Sequence, residues 1–185
     1  GQAVAAIVAT TLHQAEEAVK HIKVEYEVLD AVTDVKAAMS KNAPILHEDL
    51  EMVEFGEPTG IRNNVAEHFQ HKAGDVKKGF AESDIVIERE FDTATVHQGY
   101  IEPHNCTVQW RDDGRIHIWN SCQGPFQIRD ATAEVLDVGI TNVKLTPLEI
   151  GGGFGGKFEP YGEPIAALLS QKASNKPVKI SMSRA

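Results

Sequence analysis

Cysteine is nearly missing: the chain of 185 residues has two, Cys106 and Cys122. Two are no disulfide framework at this size. They fall on the arms of an expected hairpin turning at Asp113-Gly114, a two-residue turn that sets Cys106 opposite Ser121 and disfavours a bridge to Cys122. They read as buried thiols of a cytoplasmic protein. Positive charge is also short. The 18 basic residues face 27 acidic ones, for a net charge of −9, and form no cluster. That argues against nucleic acid and anionic membrane surfaces as partners. No apolar run approaches the length needed to span a bilayer, and nothing reads as a signal peptide. The histidines are scattered without zinc spacing, and no metal ligand set is expected.

What the chain does have is glycine in one place. Glu149-Ile-Gly-Gly-Gly-Phe-Gly-Gly-Lys157 holds five glycines, interrupted by Phe154 and closed by Lys157. The alternating, β-branched residues 143–150 before it read as a strand. Residues 162–173 after it read as a helix with Pro164 in its first turn. Between them, backbone N–H groups can approach a polyanion with no Cβ in the way.

Three templates fit this loop. Gly151-x-Gly153-x-x-Gly156 matches a dinucleotide fingerprint, but the strand that follows, Val178 to Arg184, ends without the acidic residue that pattern needs. Gly151-x4-Gly156-Lys157 matches most of a P-loop, yet Phe158 stands where the Mg²⁺-binding hydroxyl belongs. The third template is the whole string GGGFGG-K. Five glycines would sacrifice too much backbone entropy for a ligand-free turn.

The rest of the chain reads as α+β. A strand at 3–9, a helix opened by a Thr11-x-x-Gln14 capping box with Leu12, Ala15, Val19 and Ile22 on one face, and a strand at 24–28 make a βαβ unit. Thr33-Asp34 caps a short helix to Met39. Residues 41–63, rich in Pro, Gly, Asn and Glu, read as a connector. Further strands are expected at 64–70 and 84–91, with a short helix at 75–81 between them. The hairpin 107–110/115–119 comes next, then a helix 127–136 burying Ile128, Ala131, Val135 and Leu136. The tryptophans, Trp110 and Trp119, read as packing residues. Glu102, before Pro103 at a strand entry, reads as a carboxylate accepting backbone N–H groups.

His97-Gln-Gly-Tyr-Ile-Glu-Pro-His104, Ser121-Cys-Gln-Gly-Pro-Phe126 and the loop Gly151 to Lys157, in this order, resemble the large subunit of the molybdenum hydroxylases, the xanthine dehydrogenase and aldehyde oxidase family. The resemblance implies the end of an a/b-hammerhead domain over 1–47, a linker over 48–63, and the start of a mixed α/β molybdopterin-binding domain over 64–185. It implies that Gln123 donates an amide hydrogen bond to an oxygen ligand of molybdenum. It also implies that Gly151, Gly152, Gly153, Phe154, Gly155 and Gly156 contact the cofactor, molybdopterin or its cytosine dinucleotide form, with donors around Phe154 and Gly155. Purine-oxidising members carry a glutamate directly after the loop lysine. Here Phe158 takes that place in the substrate pocket and Glu159 comes one residue late, so an aldehyde or an N-heterocycle such as nicotinate is as good a substrate as xanthine.

Water would supply the oxygen, and a glutamate further along the family's subunit would act as base. The implied partners are the remainder of the molybdenum subunit, an iron–sulfur subunit with 2Fe-2S clusters and an FAD subunit. The chain would be a fragment or one piece of a split subunit, without turnover alone. A nucleotide-phosphate module using the same loop, and a non-catalytic scaffold piece, are the alternatives.

Overall fold

A computed structural model describes residues 2–184. Helices and strands mix without strict alternation. The helices are α1 (Leu12–Val19), α2 (Val35–Ala38), α3 (Val76–Ala81), α4 (Pro125–Val135) and α5 (Glu163–Lys172). The strands are β1 (Val53–Glu54), β2 (Glu57–Pro58), β3 (Glu67–His68), β4 (Asn105–Trp110), β5 (Ile116–Asn120), β6 (Val143–Pro147) and β7 (Val178–Ser181). The chain forms two compact units, one of Val24–Asp92 and one holding the residues up to Lys23 and from Thr93 on.

In the unit Val24–Asp92, the stretch expected as a featureless connector contains a hairpin. β1 and β2 pair antiparallel around Phe55-Gly56, both at positive φ (52° and 84°), the geometry of a two-residue type I′ turn. β3 joins β1 in parallel, so the sheet is mixed. Asn64 ties the unit together. Its Nδ2 donates to the carbonyls of Ala38 (2.9 Å) and Pro44 (2.8 Å), and its Oδ1 accepts from the Leu46 N–H (2.9 Å). Asp34 and Asp75 cap α2 and α3 through the N–H groups of Ala37 and Lys78.

The larger unit is built on the sheet β6-β5-β4-β7, in which β5 and β6 run parallel and the other pairs antiparallel. Val108, Ile116 and Ile118 are fully buried, and with Ala166, Ala167 and Val178 they form the core on which α5 and α4 pack. Pro164 lies in the first turn of α5, as its fixed φ and missing donor require.

Several expectations need correction. The runs 3–9, 24–28 and 84–91 form no strand among the described residues, and 64–70 shrinks to β3. A period-two pattern supplies only the faces of a strand; a neighbouring backbone must supply the ladder. At 84–91 no neighbour does so among the described residues, and Ile85, Val86 and Ile87 are all more than half exposed. The strand 143–150 stops at Pro147. The hairpin turns over three residues, Asp112-Asp113-Gly114, closed by the Arg111 N–H on the Arg115 carbonyl (2.8 Å) with Gly114 at φ +80°. Cys106 therefore faces Asn120, one residue off the expected register. In α4 the buried positions are Ile128, Thr132 and Ala133, whereas Val135 is 66% exposed. The buried stripe is thus turned by about one residue, some 100° of helix.

Candidate functional site

Sheet topology brings the singled-out residues to one end. Gln123 lies just past the C-terminal end of β5, and the glycine loop follows the C-terminal end of its parallel neighbour β6. Because β4 runs antiparallel to β5, its start lies at the same end, with Glu102 just ahead of it. Loops beyond the carboxyl ends of neighbouring parallel strands are where open α/β sheets bind ligands.

The loop is held by side chains from the other two segments. Gln123 makes a reciprocal pair with Lys157: its N–H donates to the Lys157 carbonyl at 2.8 Å, and its Oε1 accepts the Lys157 N–H at 3.3 Å. The same Oε1 accepts the Gly155 N–H at 3.0 Å. With the oxygen engaged twice, the exposed amide keeps an Nε2 donor that has no partner among the described residues. Glu102 makes a second reciprocal pair, its N–H on the Gly151 carbonyl (3.3 Å) and its Oε2 under the Gly151 N–H (2.7 Å). Inside the loop the Gly156 N–H closes on the Gly153 carbonyl at 2.8 Å. Phe154 is held at φ 49° with its side chain 72% exposed, and the flanking Gly152 and Gly155 lie at φ 96° and 89°. The N–H groups of Gly152, Gly153 and Phe154 have no hydrogen-bond partner among the described residues. Such free donors on a Cβ-poor loop suit an oxygen-rich anionic group.

Lys157 turns the other way. It is 1% exposed, and its Nζ lies 2.7 Å from Glu102 Oε2 and 5.0 Å from the centre of the Tyr100 ring. A P-loop lysine must reach phosphates; this one is spent inside the fold. Burial alone would raise the Glu102 carboxyl. The hydrogen bonds from Lys157, Gly151, Asn105 and Ser121 outweigh it and hold the pKa near 2.

Glu163, in the first turn of α5, is 4% exposed, with its pKa raised by burial although the N–H of Tyr161 and the amide of Asn120 donate to it. Their own burial, and then the Glu163 charge, push the thiol of Cys106 up to about 12 and raise that of Cys122, so neither is a ready nucleophile. Beside the site, a cavity of about 310 Å³ is lined in part by His97, Tyr100, His104 and Arg184. Burial, then the charges of Lys157 and His97, lower the His104 pKa.

The structure therefore brings Gln123 and residues 151–157 together. Phe158 lies next to them, where a Cβ on Gly124 would meet its ring at 2.9 Å. Glu159 is exposed nearby. Trp119 stacks on His117 with ring centroids 3.8 Å apart. Sequence reasoning found the backbone role of Glu102 but not its ion pair with Lys157. The Glu-Pro segment beside a GGK string holds the needed charges, yet nothing in sequence fixes which way the lysine turns.

Fold and loop together define a cofactor-binding piece of a mixed α/β protein that offers backbone donors at a sheet end. A family model, the molybdopterin cofactor-binding domain, matches residues 58–185, and the chain belongs to that family. Among curated relatives, the xanthine dehydrogenase molybdenum-binding subunit of Escherichia coli O157:H7 is 29% identical over the whole chain and 23% of its own length. The nicotinate dehydrogenase large molybdopterin subunit of Eubacterium barkeri is 30% identical over the whole chain and 40% of its own length. The quinoline 2-oxidoreductase structure from Pseudomonas putida 86 matches 95% of the chain and 21% of its own, with TM-score 0.74 and 26% identity. The chain spans less than half the length of the curated relatives it matches here. Among the described residues no helix is long and apolar enough to cross a membrane.

Proposed function

We propose that this chain forms one wall of the molybdopterin site in an enzyme that hydroxylates an aldehyde or an N-heterocycle, with water as the oxygen source. The observation that carries this is the set of N–H groups at Gly152, Gly153 and Phe154 without a partner among the described residues, on the loop whose Gly155 and Lys157 N–H groups hold Gln123 Oε1. The residues fit the group, because a glycine loop with unpartnered N–H groups at Gly152, Gly153 and Phe154 offers neutral donors to an oxygen-rich ligand. When bound, molybdenum supplies the oxygen transfer and takes up the electrons. Gln123 would donate to an oxygen of the cofactor, and the loop N–H groups would hold others of its oxygens at no reorganisation cost. Phe158, 38% exposed, forms part of the substrate wall, where an aromatic ring favours a flat heterocycle or an aromatic aldehyde.

The sequence resemblance puts the base further along the subunit, and Glu102 at the loop is committed to Lys157 and Gly151. The cofactor is molybdopterin, with or without a cytosine dinucleotide tail. Electrons leave through 2Fe-2S clusters and FAD on partner domains or subunits. Residues 1–47 belong to an a/b-hammerhead domain, 48–63 to a linker and 64–185 to the cofactor domain, a division that rests on the sequence resemblance. Two free, buried cysteines suit a reducing cytoplasm.

The test is metal and pterin analysis of the chain alone and co-expressed with the remaining subunit parts. Molybdenum and a fluorescent pterin should appear only with co-expression. Binding of ATP or NAD by the lone chain, with no molybdenum in either preparation, would transfer the loop to nucleotide binding.

A further inference from the structure

We propose that Glu102 is the positioning residue of the site, a single carboxylate that fastens both ends of the glycine loop and so fixes where Gln123 and the free N–H donors point. The inference rests on the molybdopterin reading for what the loop holds, but not for how the loop is held. Oε2 of Glu102 takes the Gly151 N–H at 2.7 Å and the Lys157 Nζ at 2.7 Å, so the first and last residues of the loop meet on one oxygen. Oε1 faces Asn105 Nδ2 at 3.3 Å, and Asn105 begins β4. The carboxylate is thereby referenced to the sheet.

Lys157 carries the constraint onward, because its backbone makes the reciprocal pair with Gln123. The chain of contacts runs Asn105, Glu102, Lys157, Gln123, and each link is a hydrogen bond. Tyr100 completes the seat: it is 6% exposed, its ring lies 5.0 Å from Lys157 Nζ, and Arg184 donates to its carbonyl. A Cβ on Gly156 would meet Tyr100 and Gln98 at 3.0 Å, so the loop lies directly on this segment. The loop needs such a fastening. It follows no strand directly and opens no helix, since β6 ends at Pro147 and α5 begins at Glu163. Phe154, a non-glycine residue at φ 49°, persists there only where the surroundings over-determine it.

Three forms should be compared in the chain co-expressed with the rest of its subunit: wild type, Glu102→Gln, and Glu102→Gln with Lys157→Met. The readouts are amide hydrogen exchange over 151–157 and over β4 and β5, thermal midpoint, and molybdenum and pterin content. The single variant keeps an acceptor for Gly151 but abandons a buried ammonium. The double variant removes that charge and serves as the folded control. Expected is loop exchange faster by roughly ten- to hundredfold, the factor for losing one charge-assisted hydrogen bond, with β4 and β5 unchanged in the double variant. Pterin content should fall in both variants. Loop exchange like wild type in the double variant, or acceleration spread equally through β4 and β5, would overturn the positioning role. If wild type itself holds no molybdenum or pterin, the functional reading fails, and the loop exchange still decides the role of Glu102.

Discussion

Replacing Gly153 with alanine separates fold from site more sharply than any other single change. Gly153 is not among the positive-φ residues, so alanine meets no backbone penalty there. The new Cβ would meet the Gln123 side chain, 2.7 Å from its amide carbon and 2.9 Å from Cγ, and closest of all to Oε1. The side chain is flexible and can leave. In leaving it gives up its bonds from the Gly155 and Lys157 N–H groups, about 1 kcal/mol each. Alanine returns about 0.4–1 kcal/mol by restricting the unfolded chain. The net loss is on the order of 1 kcal/mol, a fall in melting temperature of about 2–4 °C for a domain of this size. The site fares worse, because the Nε2 donor moves with the amide. Removing one preorganised donor costs about 10² in turnover. The assay is melting temperature, molybdenum content and turnover of the co-expressed enzyme. Gly155→Ala is the companion: no atom lies within 4 Å of its Cβ, but φ is +89°, so it costs about 1–2 kcal/mol of strain while Gln123 stays. Unchanged turnover in Gly153→Ala would refute the assignment of Gln123, whatever the melting temperature.

Two further predictions concern the frame. Burial raises the Glu163 pKa, so the folded state favours the protonated form; its stability contribution is full below about 4.5 and is lost as pH rises through the folded value. Glu163→Gln should therefore gain on wild type in chemical denaturation as pH increases from 4 to 8, and parallel curves would contradict it. Ile118, fully buried in the middle of β5, should lose about 2–5 kcal/mol on truncation to alanine. Urea midpoints would register this, and a loss below about 1 kcal/mol would mean that the core is not where these contacts put it.

The parts of the molecule legible in sequence are those whose determinants are local. Thr11, Asp34 and Asp75 each cap the helix that follows them through an N–H three residues on. Pro164 marks the start of α5. The runs 3–9, 24–28 and 84–91 misled because alternation says which side chains share a face and nothing about who supplies the pairing. The β4–β5 register slipped by one because Asp112-Asp113-Gly114 supports either a two- or a three-residue loop, and the Arg111–Arg115 closure chooses between them. On α4 the difference between Ala131 and Thr132 as the buried residue depends on where β6 lies, which is tertiary information.

The same distinction shows in the loop, where geometry adds to what pattern already said against a P-loop. A glycine string ending in lysine describes a backbone able to approach an anion; it leaves open whether the lysine goes with it. In a P-loop the ammonium is part of the anion site, so it must lie on the ligand side and the helix must begin at once. Here Lys157 is buried against Glu102 and Tyr100, and α5 begins only at Glu163. The lysine charge is neutralised before any ligand arrives, which leaves neutral donors, backbone N–H groups and one amide, as the face of the site. Such a face suits a cofactor whose negative charge lies partly elsewhere along its length and whose metal must stay free to change charge during turnover. A fixed ammonium within contact distance would place a full charge there; a row of fixed N–H dipoles places only partial ones.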